Sequence, residues 1–292
     1  RVLNSQTGEQ QISLPAGGAS AVMFDTAGDR IFIGGSLDEE LHLREFKLTS
    51  DQATQSWRWP KGEDPHSSIE ELATDQFGRY LAAASFRQDS AYVWDTATGQ
   101  KIAECPHREV YGLAMSPDGL SLVTVGWDKM IRVWETKTGE RLQAIQVEDA
   151  MGEPALKAGD SRMYGVRFAP DGKRIAACHM DGHVSVWEAA PHQLTPIFLF
   201  NTETRFSFGA LDYSPDGLWI ACGDGAGNVI LFDAHNGERM LKVGKHEDSI
   251  YTLRFGSDSS RLVSGGGSVA YLWALDDRGE ASQLAATDLW NQ

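Results

Sequence analysis

Between His107 and Gly139 the chain reads HREVYGLAMSPDGLSLVTVGWDKMIRVWETKTG, and in places apolar and other residues alternate one for one. That period belongs to strands, whose successive side chains point to opposite faces of a sheet. The pattern predicts three short strands, VYGLAM, LSLVTVG and IRVWE, joined by a Ser116-Pro117-Asp118-Gly119 turn and a Trp127-Asp128-Lys129 turn, with Thr138-Gly139 as the exit. Such residues reverse a backbone for distinct reasons: Pro presets φ, Asp bonds nearby amides, and Gly tolerates positive φ.

The unit recurs along the whole chain. Before it stand AVMFDTAG, RIFIGGS, ELHLREFKL and TQSWRWP, then IEELATDQFG, RYLAAAS, SAYVWDTATG and QKIAE; ERLQAIQV adds a fourth strand to the central unit. After it come MYGVRFAPDG, KRIAACHMDG, HVSVWEA and IFLF, then FGALDYSPDG, LWIACGDG, NVILFDAHNG and ERMLKV, and last IYTLRFGSDS, SRLVSGGG and VAYLWAL. Third-strand positions Phe46, Trp94, Trp134, Trp187, Phe232 and Trp273 are 48, 40, 53, 45 and 41 residues apart. A period of roughly 40–45 residues with four strands per unit is the signature of a bladed repeat architecture. Residues 148–161, EDAMGEPALKAGDS, lengthen one interval and are predicted to form an inserted loop. The opening RVLNSQTGEQQISLP reads as the end of a further repeat, so the count is six full units and a seventh fragment.

Val93-Trp94-Asp95, Val133-Trp134-Glu135, Val186-Trp187-Glu188, Leu231-Phe232-Asp233 and Leu272-Trp273-Ala274 stand in phase with Pro-Asp-Gly turns at residues 117–119, 170–172 and 215–217. On these residues the sequence resembles the WD-repeat β-propeller family over essentially all 292 residues. The resemblance implies an all-β fold, a β-propeller of four-stranded antiparallel blades in a single domain 1–292 excised from a longer chain. Seven blades are the expected count and six the alternative. Six would close with QQISL as the outer strand of the last blade. In the seven-blade reading, Val2-Leu3-Asn4 and QQISL are the outer half of a blade whose inner strands lie elsewhere. The family also implies a hydrogen-bonded tetrad, fitted in full by His107, Thr124, Asp128 and Trp134 and in no other unit. His246, Ser264 and Trp273 lack its Asp, Asp181 and Trp187 lack its His, and Gln88 and Ala226 stand where other units have the Asp.

The net charge of −15 argues against binding phosphate backbones or an anionic membrane surface. Three cysteines without framework spacing, Cys105, Cys178 and Cys222, point to a reducing, cytoplasmic setting. Cys105-Pro106-His107 and Cys178-His179 with His183 are the nearest to ligand clusters. Neither has the spacing of a paired metal motif, so no metal and no cofactor is expected. The Gly-rich runs at 223–227 and 265–267 lack a following helix and Lys and read as hairpins rather than phosphate cradles. No convergent nucleophile, base and stabiliser stand out, and the chain is expected not to be an enzyme.

What remains is surface. The resemblance implies a partner-binding top rim made of residues beside the start of each first strand and before each turn Asp. Carried over by position, these are Glu109, Tyr111 and Trp127; Arg162, Tyr164 and Met180; Glu70 and Arg87; and Tyr251. Aromatic residues, Met and Arg are enriched at interface hot spots. The same side chains could instead cover the blade ends or pack on the 148–161 insertion. The expected function is a protein-interaction scaffold or the docking and sensing module of a larger protein, with protein partners and neither nucleic acid nor membrane. The alternative is a propeller enzyme or small-ligand binder that uses the central channel.

Overall fold

The computed structural model describes residues 2–3, 10–15, 18–25, 27–37, 40–60, 68–86, 88–190, 193–205, 210–276 and 281–288. Among them are six four-stranded antiparallel sheets, each a meander in which consecutive strands are neighbours: the blades of an all-β propeller. Blade one holds Ala19–Phe24, Arg30–Leu37, Glu40–Lys47 and Ala53–Arg58; blade two, Glu71–Thr74, Tyr80–Ala84, Ser90–Asp95 and Lys101–Pro106. Blade three holds Val110–Met115, Ser121–Gly126, Met130–Glu135 and Arg141–Gln146; blade four, Met163–Phe168, Arg174–His179, His183–Ala190 and Gln193–Asn201. Blade five holds Leu211–Tyr213, Trp219–Gly223, Asn228–Asp233 and Arg239–Lys245; blade six, Ile250–Phe255, Arg261–Gly266, Val269–Leu275 and Ala281–Asp288.

Among the described residues the full blades therefore number six, the count given as the alternative to seven. Among the described residues Val2–Leu3 and Gln10–Ile12 pair with each other as a two-stranded sheet, the pairing that the seven-blade reading expects of an outer half-blade. QQISL is not the outer strand of blade six, because Ala281–Asp288 takes that place through seven register pairs with Val269–Leu275.

The chain falls into two compact units, residues 1–122 with 134–141 and residues 123–133 with 142–292. In the first, Phe32 and Leu43 of blade one pack with Leu72, Leu81 and Trp94 of blade two, and Val93 and Cys105 pack with Leu113, Leu122 and Trp134. A third cluster sets Ile31, Ile33 and Phe46 against Val2, Leu14 and Leu48. In the second unit, Ala221, Val229 and Leu231 of blade five meet Ile250, Leu253 and Trp273 of blade six. The predicted third-strand aromatics are thus core residues, from wholly buried Trp187 to Trp273 at 4% exposure. A Trp or Phe at this position gives each sheet a large apolar face, and burial of that face is the main force holding blades together.

The turns follow the sequence reading. Gly119, Gly172 and Gly217 have φ of 71°, 71° and 75°, where a side chain would be strained. Asp118, Asp171 and Asp216 each accept the amide two residues on, at 2.9, 2.9 and 3.0 Å. The predicted loop at 148–161 is a correction, since it folds into two one-turn helices, α1 (Val147–Met151) and α2 (Pro154–Ala158). Gly152, at φ 67°, ends the first, and Pro154 opens the second without losing a bond, since the first amides of a helix have no intrahelical partner.

Candidate functional site

The second-to-third-strand turn of blade three presents Trp127, and Lys129 behind it is held at φ 64°. Asp128 fixes that turn by accepting the Met130 amide at 3.1 Å and the Arg132 guanidinium at 2.6 Å. His107, Thr124 and Trp134 are all buried. From the same turn the Lys129 ammonium reaches Glu148 of α1 at 2.7 Å, and the Ser161 hydroxyl donates to the same carboxylate oxygen. These two bonds, Lys129 first, hold the Glu148 carboxyl below its ordinary pKa and pin α1 to the loop before blade four.

Arg162 then lies over Trp127. Asp160 grips its guanidinium through two bonds, Nε at 2.8 Å and Nη2 at 2.6 Å, and the guanidinium carbon sits 4.7 Å from the Trp127 ring centroid. Hydrogen bonding to the Arg162 side chain is the largest reason that the Asp160 carboxyl is held below its ordinary pKa. Tyr164 meets the indole edge to face, with centroids 6.1 Å apart at 77°. Met180 is tied to this group through its amide, 2.7 Å from the Arg162 carbonyl. A rigid cation and two aromatic rings in contact form a preorganised patch, which loses little conformational freedom when a partner covers it.

Of the expected rim residues, the structure therefore brings Trp127, Arg162, Tyr164 and Met180 together. Tyr164 is only 8% exposed, because the indole and the blade cover it, whereas Trp127, Arg162 and Met180 are half-buried. Tyr111 pairs with Phe86, rings 5.5 Å apart. Glu109 is exposed at φ 58°, Glu70 accepts from the Ser68 hydroxyl, and Tyr251 is exposed. Arg87 lies outside the described residues. Sequence reading missed Phe86, Lys129, Glu148 and Asp160. The signal for Asp160 was present in Asp160-Ser161-Arg162, a spacing that lets one carboxylate grip the guanidinium two residues later.

The polar core also departs from the positional pattern. Blade four does have its histidine, supplied by His179 at the end of the second strand. Its Nδ1 lies 3.2 Å from the Ser161 carbonyl and its Nε2 2.8 Å from the Ser185 hydroxyl, which accepts the Trp187 indole N–H at 2.9 Å. In blade five, Asp224 rather than residue 226 organises the turn, accepting the Ala226 and Asn228 amides at 2.9 and 2.8 Å. The three cysteines are buried free thiols; burial pushes Cys105 up to about 12 and Cys222 well above its ordinary value, so neither is a ready nucleophile. Among the described residues no three His, Cys, Asp or Glu side chains converge as metal ligands, and no helix is long and apolar enough to cross a membrane.

The model of the WD domain, G-beta repeat, matches residues 99–135, 155–188 and 237–274, which take in the first three strands of blades three, four and six, preceded in turn by the outer strand of blade two, by α2 and by the outer strand of blade five. The chain is similar to echinoderm microtubule-associated protein-like 2 of Mus musculus, 26% identical over 71% of this chain and 32% of that protein. It is also similar to periodic tryptophan protein 2 of Saccharomyces cerevisiae, 25% identical over 73% of this chain and 24% of that one. A third relative, meiotic recombination protein rec14 of Schizosaccharomyces pombe, is 26% identical over 56% of this chain and 51% of its own. The chain thus spans about a quarter to a half of the lengths of these curated relatives. The chain therefore carries WD repeats, and its six four-stranded blades, each with a third-strand Trp or Phe buried in phase, make it a β-propeller.

Proposed function

We propose that this propeller is a non-catalytic protein-interaction module, and that Trp127, Arg162 and Met180, backed by Tyr164, form one of its contact faces. The observation that carries the reading is the half-exposed indole of Trp127, held between Arg162 and Tyr164 and stiffened by the Asp160 and Glu148 bonds. A fixed, amphipathic aromatic surface of this kind is what a partner desolvates at an interface hot spot. The Tyr111–Phe86 pair is a second aromatic contact of the same type. Relatives whose names associate them with microtubules or recombination agree with a binding role and leave the partner open. The same reading puts the protein in the cytoplasm, where three buried free thiols stay reduced.

The test is photocrosslinking in the native cell. A benzophenone amino acid is placed at Met180 or Tyr111 and, as controls, at exposed Phe77 or Leu284. The first two positions are expected to trap a discrete protein adduct, with the Met180 adduct lost on Trp127→Ala. Equal adducts from all four positions would overturn the face, and adducts indifferent to Trp127→Ala would overturn the role of the indole.

A further inference from the structure

A recess lies in the second unit, between the first turns of blades four and five. It has a volume of about 710 Å³, within the range of small-ligand sites. Its most telling feature is Tyr213, which is 5% exposed and whose hydroxyl has no hydrogen-bond partner among the described residues. At the same place, one residue before the Ser/Ala-Pro-Asp-Gly turn, blade three has Met115 and blade four has Phe168. The hydroxyl is thus not required by the repeat. A buried donor left unpaired is costly, and in native proteins such groups point to a missing partner.

Arg174 lines the same recess, donating from Nη1 to the Ala234 carbonyl at 2.9 Å and forming no ion pair among the described residues. Burial pushes the Tyr213 pKa up, so the phenol stays protonated and able to donate. Two of the carboxylates at the mouth serve their own turns: Asp171 accepts the Lys173 amide, and Asp216 accepts the Leu218 amide and the Ser214 hydroxyl. Glu188, Lys173 and His235 complete the polar edge, and Ile197 and Leu218, 42% and 50% exposed, form an apolar lip. Ile197 belongs to Gln193–Asn201, the outermost strand of its sheet; Gln143 already holds the Leu194 N–H and carbonyl on that strand, at 2.7 and 3.3 Å, and Pro196 has no N–H, so Ile197 offers the recess its side chain rather than a pairing edge.

We propose that this recess binds a short extended peptide of a protein partner, its carboxylate taken by the Tyr213 hydroxyl and Arg174 guanidinium and its aliphatic neighbour by Ile197 and Leu218. Two donors lining one recess select an anionic acceptor, and guanidinium with carboxylate is the pair best matched in geometry. The apolar lip of Ile197 and Leu218 favours a peptide, which carries aliphatic side chains beside its carboxylate, over a free small acid.

The experiment titrates acetyl-Leu-Glu-Leu-amide, its Gln counterpart and free hexanoate into the ¹⁵N-labelled chain, following the amides of Leu218 and Ala234. The Glu peptide is expected to bind, and the Gln peptide to bind about tenfold more weakly, the loss of one charge-assisted pair. Tyr213→Phe and Arg174→Lys are each expected to weaken the Glu peptide severalfold. Tyr213→Phe should leave the thermal midpoint unchanged or raised, because it removes an unpaired donor. Absence of Glu-peptide binding would overturn the site, and equal binding of the Gln peptide its carboxylate specificity. Hexanoate binding as tightly as the peptide would overturn the peptide in favour of a small acid. A lowered midpoint in Tyr213→Phe would show a structural partner, such as water, and overturn the role given to the hydroxyl.

Discussion

Blades four and six each anchor the third-strand tryptophan through a serine backed by a histidine, and differ in where the two come from: Ser185 is on the third strand of blade four and Ser264 on the second strand of blade six. In blade six, His246 lies ahead of the first strand, 2.7 Å from the Ser264 hydroxyl, which accepts the Trp273 N–H at 2.8 Å. In blade four, His179 reaches Ser185 from the end of the second strand, six residues before it in the chain. The relay in both is Trp N–H to Ser oxygen and Ser O–H to imidazole Nε2. In blade four it continues from Nδ1–H to the Ser161 carbonyl, so each donor is matched to an acceptor. His246 Nδ1, beside the Gly266 backbone, makes no bond of good geometry among the described residues. What recurs is therefore a polar bridge beneath a buried indole, and the chain meets that need from whichever strand end or loop has a histidine within reach.

The largest test of this equivalence removes the indoles. Trp187→Ala and Trp273→Ala should each cost about 3–5 kcal/mol, as for other large-to-small core changes. Trp187, wholly buried, should lie at the upper end, read from chemical denaturation midpoints. If Trp273→Ala proved the costlier, the more complete relay would not mark the stiffer blade.

Acid separates the two histidines next. Burial pushes His179 down to about 4, against an ordinary value of 6.5, so the fold holds it neutral. Above pH 6.5 neither state binds the proton and stability is full. As pH falls from 6.5 to 4 the unfolded chain takes up the proton while the fold refuses it, a loss of about 3 kcal/mol that levels off below pH 4. His246 is also shifted down by burial, against a raising contribution from the Gly266 backbone, so its loss has the same sign. His179→Gln should flatten the acid limb more than His246→Gln. Parallel limbs in both variants and the parent would refute the neutral-imidazole assignment.

The serines come third. Ser185→Ala and Ser264→Ala strip the shared oxygen from an indole N–H and an imidazole nitrogen, and each should cost about 1–3 kcal/mol. Ser185 should cost more, because His179 is wholly buried whereas His246 is 2% exposed and already carries one unmatched nitrogen. Thermal midpoints of the two single variants and of the double variants with each histidine would show whether serine and histidine act as one unit.

This contrast also shows which parts of the molecule are legible in the sequence. The third-strand rings and the Pro-Asp-Gly turns could be read because burial and positive φ each admit few residue types. Blade six's His-Ser-Trp set stands at the family's positions and was read as such. His179 was missed because a positional template places the histidine ahead of the first strand, whereas hydrogen bonding requires only that Nε2 reach the serine. α1 and α2 were missed because one-turn helices carry almost no periodicity, although Gly152 and Pro154 are the punctuation of a helix end and a helix start. Trp127 and Tyr164 were both placed on the rim by position. That Arg162 stacks on one and that the other is buried beneath it depends on packing that strand period does not encode.

The smallest effect belongs to the clamp that holds the insertion. The Lys129–Glu148 pair is partly exposed, 35% and 20% by side chain, so water and salt screen most of its attraction, and Lys129→Ala should cost at most about 1 kcal/mol. Glu148→Gln should cost slightly more, because the Ser161 hydroxyl loses an ionised acceptor as well. Both losses should shrink in 1 M salt. The His179 and Trp187 losses should not, since a relay of neutral partners in the core has little charge to screen. If salt weakened both sets alike, the division between a neutral core relay and a charged surface clamp would fail. If the clamp variants proved as costly as the serine variants, α1 would have to be counted as part of the fold of blade four rather than as a strap laid over it.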